Sequence, residues 1–187
     1  LMLFKATSLF LDSGAYSLRK SKTTPDYIEY MEKYARFIRR RASVLDYYAN
    51  VDVIGNPEQS WKNQKYLEQE CGLHPVPVVH CGSDLKWLSR YLEEGYPLIG
   101  FGGLVGKYSA FSKIGVDHNR ERWLTAAFQL TGKTHIHGFG ITFGVTNYHI
   151  LKDRPWYSVD NTTWIKEPAF GGIFLPRKQG GQFSFAK

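Results

Sequence analysis

Asp12 and Asp160 are the residues whose type and setting best suit chemistry in this sequence. Asp12 closes the apolar run Ser8-Leu9-Phe10-Leu11 and opens Asp12-Ser13-Gly14-Ala15-Tyr16. Asp160 closes Trp156-Tyr157-Ser158-Val159 and opens Asp160-Asn161-Thr162-Thr163-Trp164. A carboxylate just past a buried strand and ahead of small residues stands where parallel α/β folds build their active sites. Two of them, far apart in the chain and meeting over one substrate, suit chemistry at a sugar carbon.

The elements that must position them alternate. Strand-like runs fall at Ser8–Leu11, within Val44–Val53, at Pro75–His80, Pro97–Phe101, Thr134–Phe139 and Trp156–Val159, with one more at Gly172–Pro176. Between them lie helical patterns. Thr24-Pro25 reads as an N-cap with Pro at the first helical position, ahead of Tyr27, Tyr30, Met31, Tyr34 and Ile38 at helical spacing. Asn56-Pro57 starts a second helix, ended by Gly72; Ser83-Asp84 caps a third, ended by Gly95; Asp117 caps a fourth, ended by Gly132. Residues 142–153 form a further helix, stopped before Pro155. A β-α-β-α order throughout predicts parallel neighbours. The fold expected is α/β, a (β/α)8 TIM-type barrel, complete or truncated, in one domain over residues 1–187; a doubly wound open sheet is the runner-up.

In such a barrel chemistry gathers at the C-terminal strand ends. Reading those ends in order gives Asp12, Asp52, His80, Gly102-Gly103, His137-Gly138 and Asp160. Each has a plainer reading. Asp12 suits an Asp-Ser-Gly turn, Asp52 a helix cap, His80 a hydrogen-bonded core position, Gly102-Gly103 a tight turn, and Asp160 a bond to the amides that follow it. Their recurrence at the same end of successive strands favours the functional reading. His135 and His137 share a strand face, which is a weak metal pattern; no Cys-x-x-Cys or His-Glu-x-x-His spacing supports a metal, and none is expected.

The chain has 187 residues, 43% hydrophobic and 22% charged, enough for one full core. No apolar run reaches the roughly 18 residues a membrane span needs. The start Leu1-Met2-Leu3-Phe4 is shorter than a secretory signal and reads as a strand with upstream sequence missing. Two cysteines, Cys71 and Cys81, make no disulfide framework, so a cytoplasmic protein with reduced thiols is expected. A net charge of +7 favours a polyanionic partner, nucleic acid first. Clusters at Arg36, Arg39, Arg40 and Arg41, at Arg19, Lys20 and Lys22, at Arg120 and Arg122, and at Arg177 and Lys178 are candidates for phosphate contacts.

These motifs resemble those of the tRNA-guanine transglycosylase superfamily. Asp12-Ser13-Gly14-Ala15-Tyr16 is similar to its Asp-Ser-Gly-Gly-aromatic signature, Gly102-Gly103-Leu104-Val105-Gly106 to its Gly-Gly-Leu loop, and Ile136-His137-Gly138-Phe139-Gly140 to its Met-Gly-Val-Gly segment. The order holds over nearly the whole chain. The nearest resemblance, through Leu-Asp-Ser-Gly-Ala-Tyr, Val-Asp-Val-Ile-Gly and Tyr-Ser-Val-Asp, is to short phage and bacterial 7-deazaguanine DNA transglycosylases. The resemblance implies a (β/α) barrel that exchanges guanine in a nucleic acid for a deazapurine such as preQ0. Asp160 would be the nucleophile at C1′ and Asp12 the proton-handling or sugar-orienting carboxylate. Asp52 would read the two donors of the guanine edge, helped by His80 and by the backbone of Gly102, Gly103 and Leu104. Tyr16 and His137, with Gly138, would flank the purine. Arg19, Lys20, Arg177 and Lys178 would hold the backbone.

The chain departs from the family pattern at Ala15 for a glycine, at His80-Cys81-Gly82 for Gln-Gly-Gly, and at His137 for a methionine. The tRNA enzymes carry a structural zinc held by three cysteines and a histidine after the nucleophile; this sequence has no cysteine beyond Cys81. No zinc or other cofactor is expected, and DNA is expected ahead of tRNA. The partners expected are the nucleic acid and the free deazapurine base, with no membrane; a homo-oligomer stays open. The cell compartment would be host cytoplasm for a phage-encoded chain. An alternative from another class is a catalytically silent nucleic-acid-binding partner of an active subunit, and a third is a barrel hydrolase of small nucleosides. Asp12 and Asp160 together speak against a silent subunit.

Overall fold

The computed structural model describes residues 8–18, 26–104, 116–141, 148–160, 169, 175–179 and 182–186. In chain order the elements are β1 (Phe10–Leu11), α1 (Ala15–Leu18), α2 (Tyr27–Arg40), β2 (Tyr47–Tyr48), α3 (Pro57–Gln69), β3 (Val78–His80), α4 (Lys86–Glu93), β4 (Leu98–Gly102), α5 (Val116–Thr131), β5 (His135–Gly138), α6 (Tyr148–Lys152), β6 (Ser158–Val159), β7 (Leu175–Gln179) and β8 (Gln182–Ala186). The first six strands are parallel, with α/β alternation as expected. β1 pairs with β2, and β3, β4, β5 and β6 pair in sequence order. A single parallel bridge, Ala49 to Val76, joins the two sets. Among the described residues no helix is long and apolar enough to cross a membrane.

The sheet is curled. Strands lie about 4.8 Å apart, so in a flat sheet β1 and β5, four steps removed, would be about 19 Å apart. Yet the rings of Phe10 on β1 and His137 on β5 have centroids only 4.7 Å apart. Tyr47 on β2 likewise lies close enough to Tyr157, beside β6, for the two hydroxyls to act on each other's ionisation. β4 makes the curl possible by its alternation. Ile99 and Phe101 are fully buried in the outer layer, packed with Leu88, Trp123, Leu124 and Ala127 of α4 and α5. Gly100 and Gly102 carry no side chain on the inner face, where the rings of Phe139 and His80 take the space a Cβ would fill.

The helices follow local chemistry. In α2, Asp26 accepts from Glu29 N at 3.0 Å, and Met31, Tyr34, Ala35 and Ile38 bury one stripe. The cap is Asp26, not Thr24, because its carboxylate reaches the orphan amide; Thr24 and Pro25 lie outside the described residues. In α3, Asn56 caps and Pro57 leads, but the buried stripe is Ser60, Asn63, Gln64 and Leu67, mostly polar. Asp84 is not the cap of α4; its Oδ1 accepts from Lys86 N at 2.9 Å while Leu85 stands at the cap without a side-chain bond. Asp117 lies inside the first turn of α5, which starts at Val116. Of the expected helix over 142–153, α6 covers Tyr148–Lys152, and 142–147 fall outside the described residues.

The chain after β6 departs from expectation. The strand expected at Gly172–Pro176 runs Leu175–Gln179 and pairs antiparallel with Gln182–Ala186. Only two residues separate these strands, a spacing that an antiparallel hairpin satisfies and a parallel crossover does not.

Candidate functional site: a carboxylate and histidine cluster at the strand ends

The parallel register sets the ends of β3 to β6 at one level. His80 pairs with Gly102, Phe101 with Gly138, and Gly138 with Val159, so His80, Gly102-Gly103 and Asp160 leave the sheet together. Asp12 follows β1, paired to β2, and Asp52 follows the bridge at Ala49. Asp12, Asp52 and Asp160 come close enough for the charges of the latter two to act on Asp12.

Asp12 is open to solvent yet has protein on most sides, as a group at the floor of a cleft does. Burial pushes its pKa up; the amides of Gly14 and Ser13 pull it down; Asp52 and Asp160 push it up again, and the net direction is up. The loop that carries it needs glycine at position 14. Gly14 has φ +73°, and a Cβ there would stand 2.9 Å from the Tyr30 hydroxyl, which donates to Ser13 O at 2.7 Å. Ala15, where the motif it resembles has glycine, begins α1 with its methyl buried.

Asp160 is moved the other way. Its side chain is 53% exposed, but burial still pushes the pKa up; His137 and the Gly140 amide outweigh that and hold it below the usual carboxylate range. Gly140 N donates to Asp160 Oδ1 at 2.6 Å. His137 Nε2 stands 3.7 Å from the same oxygen, beyond a direct hydrogen bond and within ion-pair range. Two acids whose surroundings drive their pKa values apart are the arrangement that separates a proton carrier from an ionised nucleophile.

Asp52 is buried and faces His80, Nε2 to Oδ2 at 3.0 Å. The polar stripe of α3 explains how its loop is held. Asn63 Nδ2 donates to Val51 O at 2.7 Å, Ser60 Oγ accepts from Val53 N at 2.8 Å, and Asn50 Nδ2 donates to Ser60 O at 2.8 Å. Buried backbone groups of an irregular strand exit need partners, and α3 supplies them from side chains. The exit loop of β4 is anchored by Arg120, buried on α5, whose guanidinium donates to Leu104 O at 3.1 Å. Arg120 is thus a loop clamp and not a free phosphate ligand. Gly103 takes φ +66°, and Leu104 is fully buried.

His137 differs from its expected place on a purine face. It is 5% exposed, with Phe10 and Phe139 rings at 4.7 and 4.5 Å and Nδ1 2.8 Å from Ser158 Oγ. Its ring is enclosed by side chains, and its nitrogens face Ser158 and Asp160. Gly138 is buried on the outer side, where a Cβ would meet Ile141 and Trp156. Tyr16 lies on α1 just after Asp12 and is 46% exposed. His135 points elsewhere than His137, stacked on Tyr157 at 4.1 Å.

The arginines of α2 are not at this site. Tyr27 at the helix start feels Asp52, while Arg39, Arg40 and Arg41 stand at the far end of 14 residues, about 20 Å away, where the chain turns into β2. Arg39 donates to Cys71 O. Arg19 and Lys20 lie outside the described residues, and Arg177 and Lys178 lie in the β7–β8 hairpin. Tyr30, Ser60, Asn63 and Ser158 belong to the site's support and were not singled out from the sequence. Tyr30 shows only as a core-facing helical position, Ser158 only as part of Tyr-Ser-Val-Asp, and Ser60 and Asn63 carry no motif.

No family model, no curated protein and no solved structure matches this chain.

Proposed function

We propose that this chain is a base-exchange glycosyltransferase that replaces guanine in a nucleic acid with a 7-deazaguanine, with DNA ahead of tRNA as the polymer. The observation that carries the reading is the meeting of Asp12 with Asp52 and Asp160 at one end of a curled parallel sheet, with pKa directions opposed at Asp12 and Asp160. The motif resemblance supplies the substrate class, and the likeness of Leu-Asp-Ser-Gly-Ala-Tyr, Val-Asp-Val-Ile-Gly and Tyr-Ser-Val-Asp to motifs of DNA transglycosylases puts DNA first. On this reading the curled strands are part of a (β/α)8 barrel.

In the first half-reaction an Asp160 carboxylate oxygen bonds to C1′ as the glycosidic C1′–N9 bond breaks. With Oδ1 held by Gly140 N, Oδ2 is the oxygen we assign to attack. The electron pair leaves on guanine, which takes a proton from Asp12. In the second half-reaction the incoming base gives its N9 proton to Asp12, its N9 pair bonds to C1′, and the ester C–O bond breaks to restore the Asp160 carboxylate. Two displacements retain configuration, as in retaining glycosidases. The carboxylates also face the positive charge that develops at C1′. Asp52 accepts from the guanine edge through the oxygen that His80 does not hold. The target nucleotide must leave the base stack at a cost of about a few kcal/mol, which contacts to phosphate offset.

The test is exchange of labelled guanine in DNA and in tRNA, run in parallel. Asp160→Asn is expected to abolish exchange and leave DNA binding within about twofold, because the substitution removes the nucleophile and keeps the shape. The unsubstituted chain is expected to form a protein–DNA adduct that survives denaturant. Exchange by the Asp160→Asn protein would remove Asp160 from the nucleophile's role, and exchange in tRNA alone would reverse the choice of polymer.

A further inference from the structure

We infer that His137, oriented by Ser158, is a positioning residue that favours the free carboxylate of Asp160 over its sugar ester and so speeds the second half-reaction. The inference rests on the reading of Asp160 as nucleophile.

His137 and Ser158 are register partners on β5 and β6. Ser158 Oγ lies 2.8 Å from Nδ1, and Nε2 lies 3.7 Å from Asp160 Oδ1. Phe10 and Phe139 pack on the ring and leave it little freedom to turn. A neutral imidazole carries one proton. An Nδ1–H tautomer would aim the Nε2 lone pair at an ionised carboxylate. The ionised Oδ1 favours the opposite tautomer, with Nε2–H toward it, and in that tautomer the Ser158 hydroxyl donates to the bare Nδ1 and holds the ring. The other charged groups facing this cleft among the described residues are Asp12 and Asp52, both acidic, with His80 engaged by Asp52. His137 is therefore the side chain on this wall that stabilises negative charge on Asp160. That interaction is strongest in the free enzyme, weakest in the ester, and regained as the C–O bond breaks. It slows accumulation of the covalent intermediate and hastens its release. A ring that merely filled space would do neither.

Two variants of the full chain test this, Ser158→Ala, which removes one hydroxyl, and His137→Phe, which keeps the volume and removes both nitrogens. The first measurement is the carboxyl ¹³C titration of Asp160, which needs no activity. The midpoint is expected to rise in Ser158→Ala and to rise further in His137→Phe; an unchanged midpoint in folded Ser158→Ala protein would overturn the proposal. The second is the steady-state protein–DNA adduct during exchange, expected to increase severalfold in Ser158→Ala as release slows. A decrease would overturn it as well. If the unsubstituted chain forms no adduct at all, the base-exchange reading fails, and the titration alone then decides what His137 does to Asp160. If His137→Phe does not fold, Ser158→Ala carries both measurements.

Discussion

Substituting Gly102 by alanine should disconnect the Asp52–His80 pair, and its cost can be worked from distances. Gly102 has no positive φ, so alanine meets no backbone objection there. The added Cβ would stand 2.6 Å from His80 Cδ2, 2.9 Å from its Nε2 and 3.4 Å from Val78 Cγ1. Carbon atoms pack at about 3.5–4.0 Å, so the imidazole must move by about 1 Å. A crowded core position costs about 1–3 kcal/mol. The displaced ring also gives up its 3.0 Å approach to buried Asp52, and a bond to a charged group contributes about 1.5–3 kcal/mol. Reduced freedom of the unfolded chain returns about 0.4–1 kcal/mol. The net loss expected is about 1.5–5.5 kcal/mol, or about 3–22 °C in Tm for a chain of this length. Urea unfolding followed by circular dichroism measures it. The same substitution should be made in a His80→Ala background, where the obstructing ring is gone and the cost should fall below about 1 kcal/mol. An equal cost in both backgrounds would show that the ring does not fill this space and would refute the packing argument.

Two further outcomes follow from the same geometry. Asp12 has a folded pKa above the ordinary carboxylate value of 3.8, so its contribution favours folding below that value and is lost as pH rises through the folded pKa. Asp12→Asn should therefore raise Tm at pH 7, with the gain shrinking toward pH 3; a loss at pH 7 would mean that the bonds from Gly14 and Ser13 outweigh burial and the neighbouring charges. Asn63→Ala should cost about 1–3 kcal/mol by leaving Val51 O buried without its donor, and it should weaken binding of the free deazaguanine in calorimetry by loosening the loop before Asp52. Full stability with normal binding would show that α3 does not hold that loop.

Much of the fold was legible because the strand-ending residues and helix caps are local signals. Asn56-Pro57 began a helix where amide donors and a preset φ dictate it, and β4 showed as an apolar run bounded by glycines. Other features were not legible. The polar stripe of α3 defeats a reading based on apolar periodicity, since Ser60, Asn63 and Gln64 are buried by what they bond to and not by hydrophobicity. The strand at Leu175–Gln179 has composition enough to be seen, but nothing within it declares its partner's direction. Basic residues were legible as charge and not as place. Arg120 became a buried clamp, and the arginines of α2 stand a helix length from the carboxylates, because a helix returning to the next parallel strand carries its C-terminus to the opposite end of the sheet.

By itself the sequence determined the alternation of strands and helices and the presence of acidic or imidazole side chains at the ends of β1, β3 and β6, since turn chemistry and hydrophobic period act over a few residues. Only the tertiary structure decided which of these groups share a cleft, that His80 is engaged by Asp52, and that His137 turns toward Asp160 instead of outward. Those outcomes depend on the curl of the sheet, and the curl arises from contacts such as Phe10 with His137 that span most of the chain and leave no mark at either residue alone.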